Sequence, residues 1–100
     1  MNNFKTYKLS ISFYKECLKL HVSSSLRNQL TRASSSISLN LAEGNGRRQT
    51  NDRKHFFQIA LGSLKECKAI LDLTINTPQS LTMHADILGA HIYKLIKNAY

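Results

Sequence analysis

The sequence contains one proline, four glycines, two cysteines and no tryptophan among its 100 residues. So little proline and glycine excludes collagen-like and linker-like chains. Cys17 and Cys67 are too few for a disulfide scaffold, so we expect a reduced, cytoplasmic protein. The uncharged runs are short, and no basic-then-apolar segment opens the chain. We therefore expect neither a membrane span nor a secretory signal.

Acidic side chains are also scarce: the sequence has six Asp and Glu residues and 14 Lys and Arg residues, which gives a net charge of +8. Apolar residues make up 42% of the chain, which argues against disorder. The composition therefore predicts one basic globular domain over residues 1–100. An excess of positive charge favours a polyanionic partner.

No stretch alternates apolar and polar residues with the period of a strand. Breaks at residues 23–25, 44–46 and 76–78 divide the chain into four stretches with helical periodicity. This pattern predicts an all-α fold, an antiparallel up-down four-helix bundle.

Apolar residues at spacings of three and four predict which side of each helix is buried. The expected buried line of the first helix is Ile11, Tyr14, Leu18 and His21. That of the second is Leu26, Leu30, Ala33, Ile37 and Leu41, and Gly44 is expected to end this helix. Apolar residues cover roughly 200° of the third helix, well beyond the ~100° stripe of a surface helix. Excess apolar surface on the third and fourth helices favours oligomerisation, and a generous monomeric core is the alternative.

A polar stripe borders the apolar line of the second helix and consists of Gln29, Arg32, Ser36, Asn40 and Glu43. Partly buried polar groups need partners. We interpret Gln29, Ser36, Asn40 and Glu43 as a structural network across helices or subunits, and a ligand groove is the alternative. The opposite face is expected to be solvated, and it carries Arg27, Thr31, Ser34, Ser35 and Ser38.

A basic loop follows this helix and carries Arg47, Arg48, Arg53 and Lys54 with the single anion Asp52. Glycines 44 and 46 let the backbone approach a ligand closely. The loop lacks the GxxxxGK[ST] pattern of nucleotide-hydrolysing P-loops. With Arg32 nearby, these cations are the candidate nucleic-acid-binding residues, and a solvated charged loop is the alternative. Phe4, Tyr7 and Tyr100 are the candidate aromatics for base stacking, so we expect backbone and shape recognition rather than sequence readout.

The segment from Gln29 to Glu66 resembles a known family. The matching residues are Gln29, Arg32-Ala33, Ser36-Ile37, residues 40–44, Gly46-Arg47, Phe57, Ile59-Ala60, residues 62–64 and Glu66. They are similar to the small bacterial four-helix-bundle proteins encoded in intervening sequences of large-subunit ribosomal RNA genes. The accessory variability determinants of diversity-generating retroelements are their relatives. The chain departs from the family at residues 23–25, where three serines replace a Pro-containing turn.

The resemblance implies a homo-oligomeric bundle, typically a pentamer with a basic surface. In the retroelement branch it also implies binding to nucleic acid and to a reverse transcriptase. We therefore expect a non-enzymatic accessory protein that binds RNA or DNA, with no cofactor, catalytic residue or metal. A protein-interaction scaffold without nucleic-acid binding is the main alternative.

A weak, metal-independent ribonuclease is a second alternative. Arg48 and His55 resemble the Arg-x(4–6)-His motif of certain helical ribonuclease domains, in which the pair stabilises phosphate charge and moves a proton. His84 and His91 lie seven residues apart on one helical face, but no third ligand matches their spacing. We therefore predict no zinc site.

Overall fold

Four α-helices connected by short loops make up the computed structural model, which describes residues 3–99. The helices are α1 (Asn3–Lys19), α2 (Ser24–Asn45), α3 (Thr50–Leu73) and α4 (Gln79–Lys97). Each packs against its neighbour in the chain, and α1 also packs against α4. Paired contacts show that neighbouring helices run antiparallel: residues 10 and 17 of α1 meet residues 38 and 27 of α2, residues 32 and 36 of α2 meet residues 66 and 63 of α3, and residues 64 and 68 of α3 meet residues 89 and 86 of α4. The all-α four-helix bundle is confirmed, and the described residues contain no strand.

The core confirms the apolar line predicted for α2. Leu30, Ala33, Ile37 and Leu41 are fully buried, and Leu26 packs against them from a partly exposed position. From α3 and α4 the core receives Phe57, Ala60, Leu64, Ile70, Leu71, Leu81, Ala85, Leu88, Ile92 and Leu95. The bundle measures 40 × 22 × 17 Å, and its core runs parallel to the longest dimension. Within residues 3–99, no helix has the length and hydropathy needed to cross a bilayer.

The buried line predicted for α1 was wrong. The side chains that face the core are Thr6, Ser10, Phe13 and Cys17, while Leu18 is exposed and Ile11 and Tyr14 are only partly buried. Ser10 can be buried because its hydroxyl donates to the Tyr7 carbonyl at 2.6 Å and shares a hydrogen bond with Ser38. A pair of small hydroxyl residues, Ser10 and Ser38, therefore joins α1 to α2 on a side of α1 that the apolar spacing did not predict.

The face of α2 that was predicted to be solvated instead packs against α1. Ser34 is fully buried, and its hydroxyl donates to the Leu30 carbonyl at 2.7 Å. The Arg27 guanidinium donates to the carbonyls of Cys17, at 3.0 Å, and Leu20 at the end of α1. The Cys17 carbonyl also accepts the N–H of Leu20 at 3.2 Å, so Arg27 of α2 adds a side-chain cap to the last turn of α1. The prediction failed because serine and threonine are polar in the sequence, yet their hydroxyls can be buried when they donate to carbonyls of their own helix.

Gly44 lies inside α2 and does not end it, which corrects the second prediction for this helix. The helix continues to Asn45, and the N–H of Gly46 donates to the carbonyls of Ala42 and Glu43. A Cβ on residue 44 would stand 2.6 Å from Cε1 of Phe57, so the missing side chain admits the ring of α3. At the start of α3, Gln49 occupies the N-cap position with an extended backbone and no side-chain hydrogen bond to the helix.

The two cysteines are free and fully buried in the core. Burial raises the pKa of both thiols to about 12. Because α1 and α3 lie diagonally in the bundle, with no Cα pair within 8 Å, Cys17 and Cys67 are too far apart for a disulfide.

Candidate nucleic-acid interface

The predicted basic loop joins α2 to α3 at one end of the bundle. Arg47 ion-pairs with Glu43 at 2.8 Å, and its guanidinium lies 4.8 Å from the centre of the Phe56 ring. Cation–π contacts of this kind hold a guanidinium plane against an aromatic face. The structure therefore anchors Arg47 between a carboxylate and a ring, which partly neutralises it.

The other three cations of the loop have different surroundings. Arg48 is exposed in the connection, and the ion pairs of the described residues do not include it. Arg53 and Lys54 are half-buried in the first turns of α3. Asp52 lies in the first turn of the same helix, where a carboxylate is favoured by the helix dipole.

One half of the bundle carries most of the net charge. We define the basic end as the halves of the helices nearest the α2–α3 loop, residues 3–11, 35–61 and 89–99. It holds eight Lys and Arg side chains against the carboxylates Glu43 and Asp52, a net charge of +6. The opposite half holds six Lys and Arg against four carboxylates, a net charge of +2. The cations of the basic end are Lys5, Lys8, Arg47, Arg48, Arg53, Lys54, Lys94 and Lys97.

Four of these lysines were not among the predicted site residues. Lys5 and Lys8 begin α1, and Lys94 and Lys97 end α4, far from the loop in sequence. An antiparallel up-down bundle brings the start of α1, the end of α4 and the α2–α3 loop to the same end. The predicted up-down bundle therefore implies that these lysines lie beside the loop. Summing the charges of the four helix halves at each end of the predicted bundle would have identified them from the sequence.

Exposed aromatic rings accompany the cations at the basic end. Phe4 is 69% exposed, with the Lys8 ammonium 5.4 Å from its ring centre, and Tyr93 is 59% exposed. Tyr7 is partly buried, and Tyr100 lies outside the described residues. Tyr93, which the sequence did not single out, is thus the second ring available beside Phe4 for stacking.

The polar stripe of α2 lies against α3 as a separate feature. Arg32 ion-pairs with Glu66 across the two helices, and the hydroxyls of Ser36 and Ser63 share a hydrogen bond of 2.9 Å. Both contacts cross between helices. Arg32 lies far from the basic loop, because 15 residues at 1.5 Å per residue place it about 22 Å along the helix direction from Arg47. Arg32 therefore does not join the basic end.

The remaining members of the stripe bond within their own segment. The Asn40 amide donates to the carbonyl and hydroxyl of Ser36, at 2.8 and 3.1 Å. Gln29 is exposed and donates to the Ser25 carbonyl at 3.4 Å, and Glu43 holds Arg47. The cross-helix network therefore centres on Ser36, and Asn40 orients that serine.

The histidines considered for catalysis or metal binding lie apart. His55 is exposed on α3 and packs edge-on against Phe56, with ring centres 5.4 Å apart. His84 contacts Glu16 of α1 at 2.5 Å, whereas His91 lies at the basic end. Over residues 3–99, no group of three or more His, Cys, Asp or Glu side chains is placed to hold a metal ion.

Comparison with known proteins identifies one family. The model of the family described as 23S rRNA-intervening sequence protein matches residues 2–98. A comparison with curated proteins gives no match.

Proposed function

Since the chain belongs to the family of 23S rRNA-intervening sequence proteins, we propose that it is a non-enzymatic accessory protein that binds the backbone of RNA or DNA. The observation that carries this proposal is the concentration of a net charge of +6 at one end of the bundle. The family name associates these proteins with ribosomal RNA genes, which makes RNA the first polyanion to test.

The charge distribution supports backbone binding rather than base readout. Phosphate contacts release condensed counterions, so the affinity depends steeply on salt. The basic end supplies cations on three separate chain segments, and two of its rings, Phe4 and Tyr93, are exposed. Rings of this kind stack on any base, so they add affinity without sequence preference.

The test measures binding of a labelled single-stranded RNA by fluorescence anisotropy over a range of salt concentrations. We compare the wild type with a variant that lacks two exposed cations of the basic end, Arg48→Gln and Lys97→Gln. For single strands the slope of log K against log salt is about −0.7 per phosphate contact. We expect the slope of the double variant to be less negative by about 1.4, which corresponds to two lost phosphate contacts, and its binding at low salt to be weaker.

The matched control removes two exposed lysines from the opposite half, Lys15→Gln and Lys65→Gln. The net charge of the two variants is identical, so a generic charge effect would weaken both equally. We expect the control to keep the wild-type slope. Equal losses in both variants, or no binding by the wild type at low ionic strength, would contradict the proposal.

We also propose that the protein is a homo-oligomer, with a pentamer as the expected state. Large apolar side chains remain exposed on every helix, and the clearest are Phe4, Leu18, Leu39, Ile59, Leu73, Met83, Ile87 and Tyr93. Contact between copies would remove this surface from water. Light scattering coupled to size-exclusion chromatography gives the subunit number directly, and a monomer at all concentrations would contradict the proposal.

The same apolar surface supports the alternative function, a protein-interaction scaffold. The resemblance to accessory determinants of retroelements points to a reverse transcriptase as a partner of this kind. A scaffold would keep its protein partner in the Arg48→Gln/Lys97→Gln variant and show little affinity for RNA. The ribonuclease alternative is tested separately. For a non-enzymatic protein we expect RNA to stay intact after prolonged incubation with the wild type. We also expect the His55→Ala variant to bind RNA as tightly as the wild type does.

A further inference from the structure

A small cavity lies within the basic end, between the start of α1, the first turns of α3 and the end of α4. Its volume is about 60 Å³, whereas the open grooves described elsewhere on the surface have volumes of about 270 to 570 Å³. It is lined by Asn3, Arg53, His91, Lys94, Leu95, Asn98 and Ala99. Since a water molecule occupies about 30 Å³ in the liquid, the space holds roughly two waters or one small polar group.

Two polar atoms in the lining are buried without a hydrogen-bond partner. They are Nε of Arg53 and Oδ1 of Asn3, and they are the only such side-chain atoms within the described residues. Buried polar groups are nearly always paired, since an unmet hydrogen bond is costly. That both exceptions line the same cavity indicates that a polar occupant completes it.

The chemistry of the lining favours an oxyanion as the occupant. The Nε–H of Arg53 is a donor that cannot lose its proton, and the Lys94 ammonium supplies a second positive charge. His91 and the Asn98 amide are further donors in the lining. Rotation of the Asn3 amide by 180° about its last side-chain bond presents its NH₂ group in place of Oδ1. Among residues 3–99, no Asp or Glu side chain lines the cavity.

We propose that this cavity binds one phosphoryl group, held by Arg53 and Lys94. The proposal rests on the proposed function and refines it, because the group would be the terminal phosphate of a nucleic-acid strand. A phosphate within the strand is bonded to nucleotides on both sides, which hold it at the mouth of a cavity of this size. A terminal phosphate is attached on one side only and presents three acceptor oxygens. Free inorganic phosphate shares this chemistry, and the experiment separates the two.

The experiment compares three forms of one RNA oligonucleotide, with a 5′-phosphate, a 3′-phosphate or no terminal phosphate, at fixed salt. A hydrogen-bonded charge pair is worth about tenfold in affinity. We expect one phosphorylated form to bind wild-type protein at least about tenfold more tightly than the unphosphorylated form. Inorganic phosphate, added alone and followed by calorimetry, tests the second source.

Arg53→Gln removes the buried donor, and Arg48→Gln is its matched control because Arg48 carries the same charge at the same end but does not line the cavity. We expect the preference for a terminal phosphate to disappear in Arg53→Gln and to persist in Arg48→Gln. If Arg53→Gln unfolds, Ala99→Val replaces it, since a larger side chain at this buried position fills the cavity without removing a charge.

Each outcome decides the inference. Binding of inorganic phosphate that requires Arg53, without a preference for phosphorylated RNA, supports the cavity site and assigns it to the free ion. Equal affinity for all three oligonucleotides and no binding of inorganic phosphate overturns the inference and leaves the proposed function standing. Phosphate binding without any RNA binding overturns the proposed function and leaves the cavity site standing. An equal loss of preference in Arg53→Gln and Arg48→Gln shows a diffuse charge effect and also overturns the inference.

Discussion

Gly44 of α2 lies directly against the ring of Phe57 of α3, so that a Cβ on residue 44 would stand 2.6 Å from Cε1 and 2.9 Å from Cδ1. Phe57 is fully buried and cannot swing into solvent. We expect Gly44→Ala to lower the free energy of unfolding by about 1–3 kcal/mol, because overpacking outweighs the gain in helix propensity. Urea denaturation followed by circular dichroism measures this change.

Gly62 provides the control for that prediction because it lies in the middle of α3, and a Cβ on this residue would meet no neighbouring group within 4 Å. We expect Gly62→Ala to raise the free energy of unfolding by about 0.5–1 kcal/mol through helix propensity alone. A Gly44→Ala variant as stable as Gly62→Ala would show that α2 and α3 do not approach this closely.

Arg27 is expected to stabilise the fold, although the sequence places it on the face of α2 that was predicted to be solvated. Its guanidinium bonds the carbonyls of Cys17 and Leu20 at the end of α1. We expect Arg27→Met, which keeps much of the apolar stem, to cost about 1–2 kcal/mol. Arg48→Met in the exposed connection is the control, and we expect it to change stability by less than about 0.5 kcal/mol. Equal melting temperatures for the two variants would contradict the capping role.

Ser36 and Ser63 are expected to be energetically coupled across α2 and α3. Either Ser→Ala change removes their hydrogen bond of 2.9 Å and leaves the other hydroxyl half-buried, at a cost of about 1 kcal/mol. The double variant should cost less than the sum of the single variants, with a coupling energy of about 0.5–1 kcal/mol. Strictly additive effects in a double-mutant cycle would disprove the coupling.

The buried thiols predict a loss of stability in alkali. Burial, reinforced for Cys17 by the nearby Glu16 carboxylate, raises the pKa of both thiols from 9.0 to about 12. Between these values the unfolded chain releases thiol protons that the folded chain retains, so stability falls as the pH rises from 9 to 12. The slope is on the order of 1 kcal/mol per pH unit for each thiol.

Urea midpoints at pH 8, 9.5 and 10.5 measure this slope. The Cys17→Ala/Cys67→Ala variant is the control, and we expect a shallower loss over the same range. Rapid reaction of the native thiols with a water-soluble disulfide reagent at pH 8 would show that they are not buried as described.

The sequence predicted the bundle because long helical periodicity and short connections leave few other arrangements. It predicted the buried line of α2 correctly, from Leu30 to Leu41, because large aliphatic residues dominate that contact. It failed for α1, where Thr6 and Ser10 face the core and Leu18 faces water. A hydroxyl that bonds to its own helix is as compatible with burial as an apolar group, and periodicity cannot distinguish the two.

The candidate site was predicted in part for a similar reason. Residues close in sequence, such as Arg47 and Arg48, were found as a loop, whereas Lys5 and Lys97 required the topology. The cavity at Asn3 and Arg53 could not be predicted from the sequence. The two residues belong to α1 and α3, and their distance depends on how the helices pack, which no sequence pattern gives.

Charge displaced toward one end of a rod about 40 Å long makes the molecule a permanent electric dipole. In the field of a polyanion such a rod experiences a torque as well as an attraction, and it turns its positive pole forward before contact. Encounters are thereby biased toward end-on orientations, which raises the association rate constant in dilute salt and lets added electrolyte lower it.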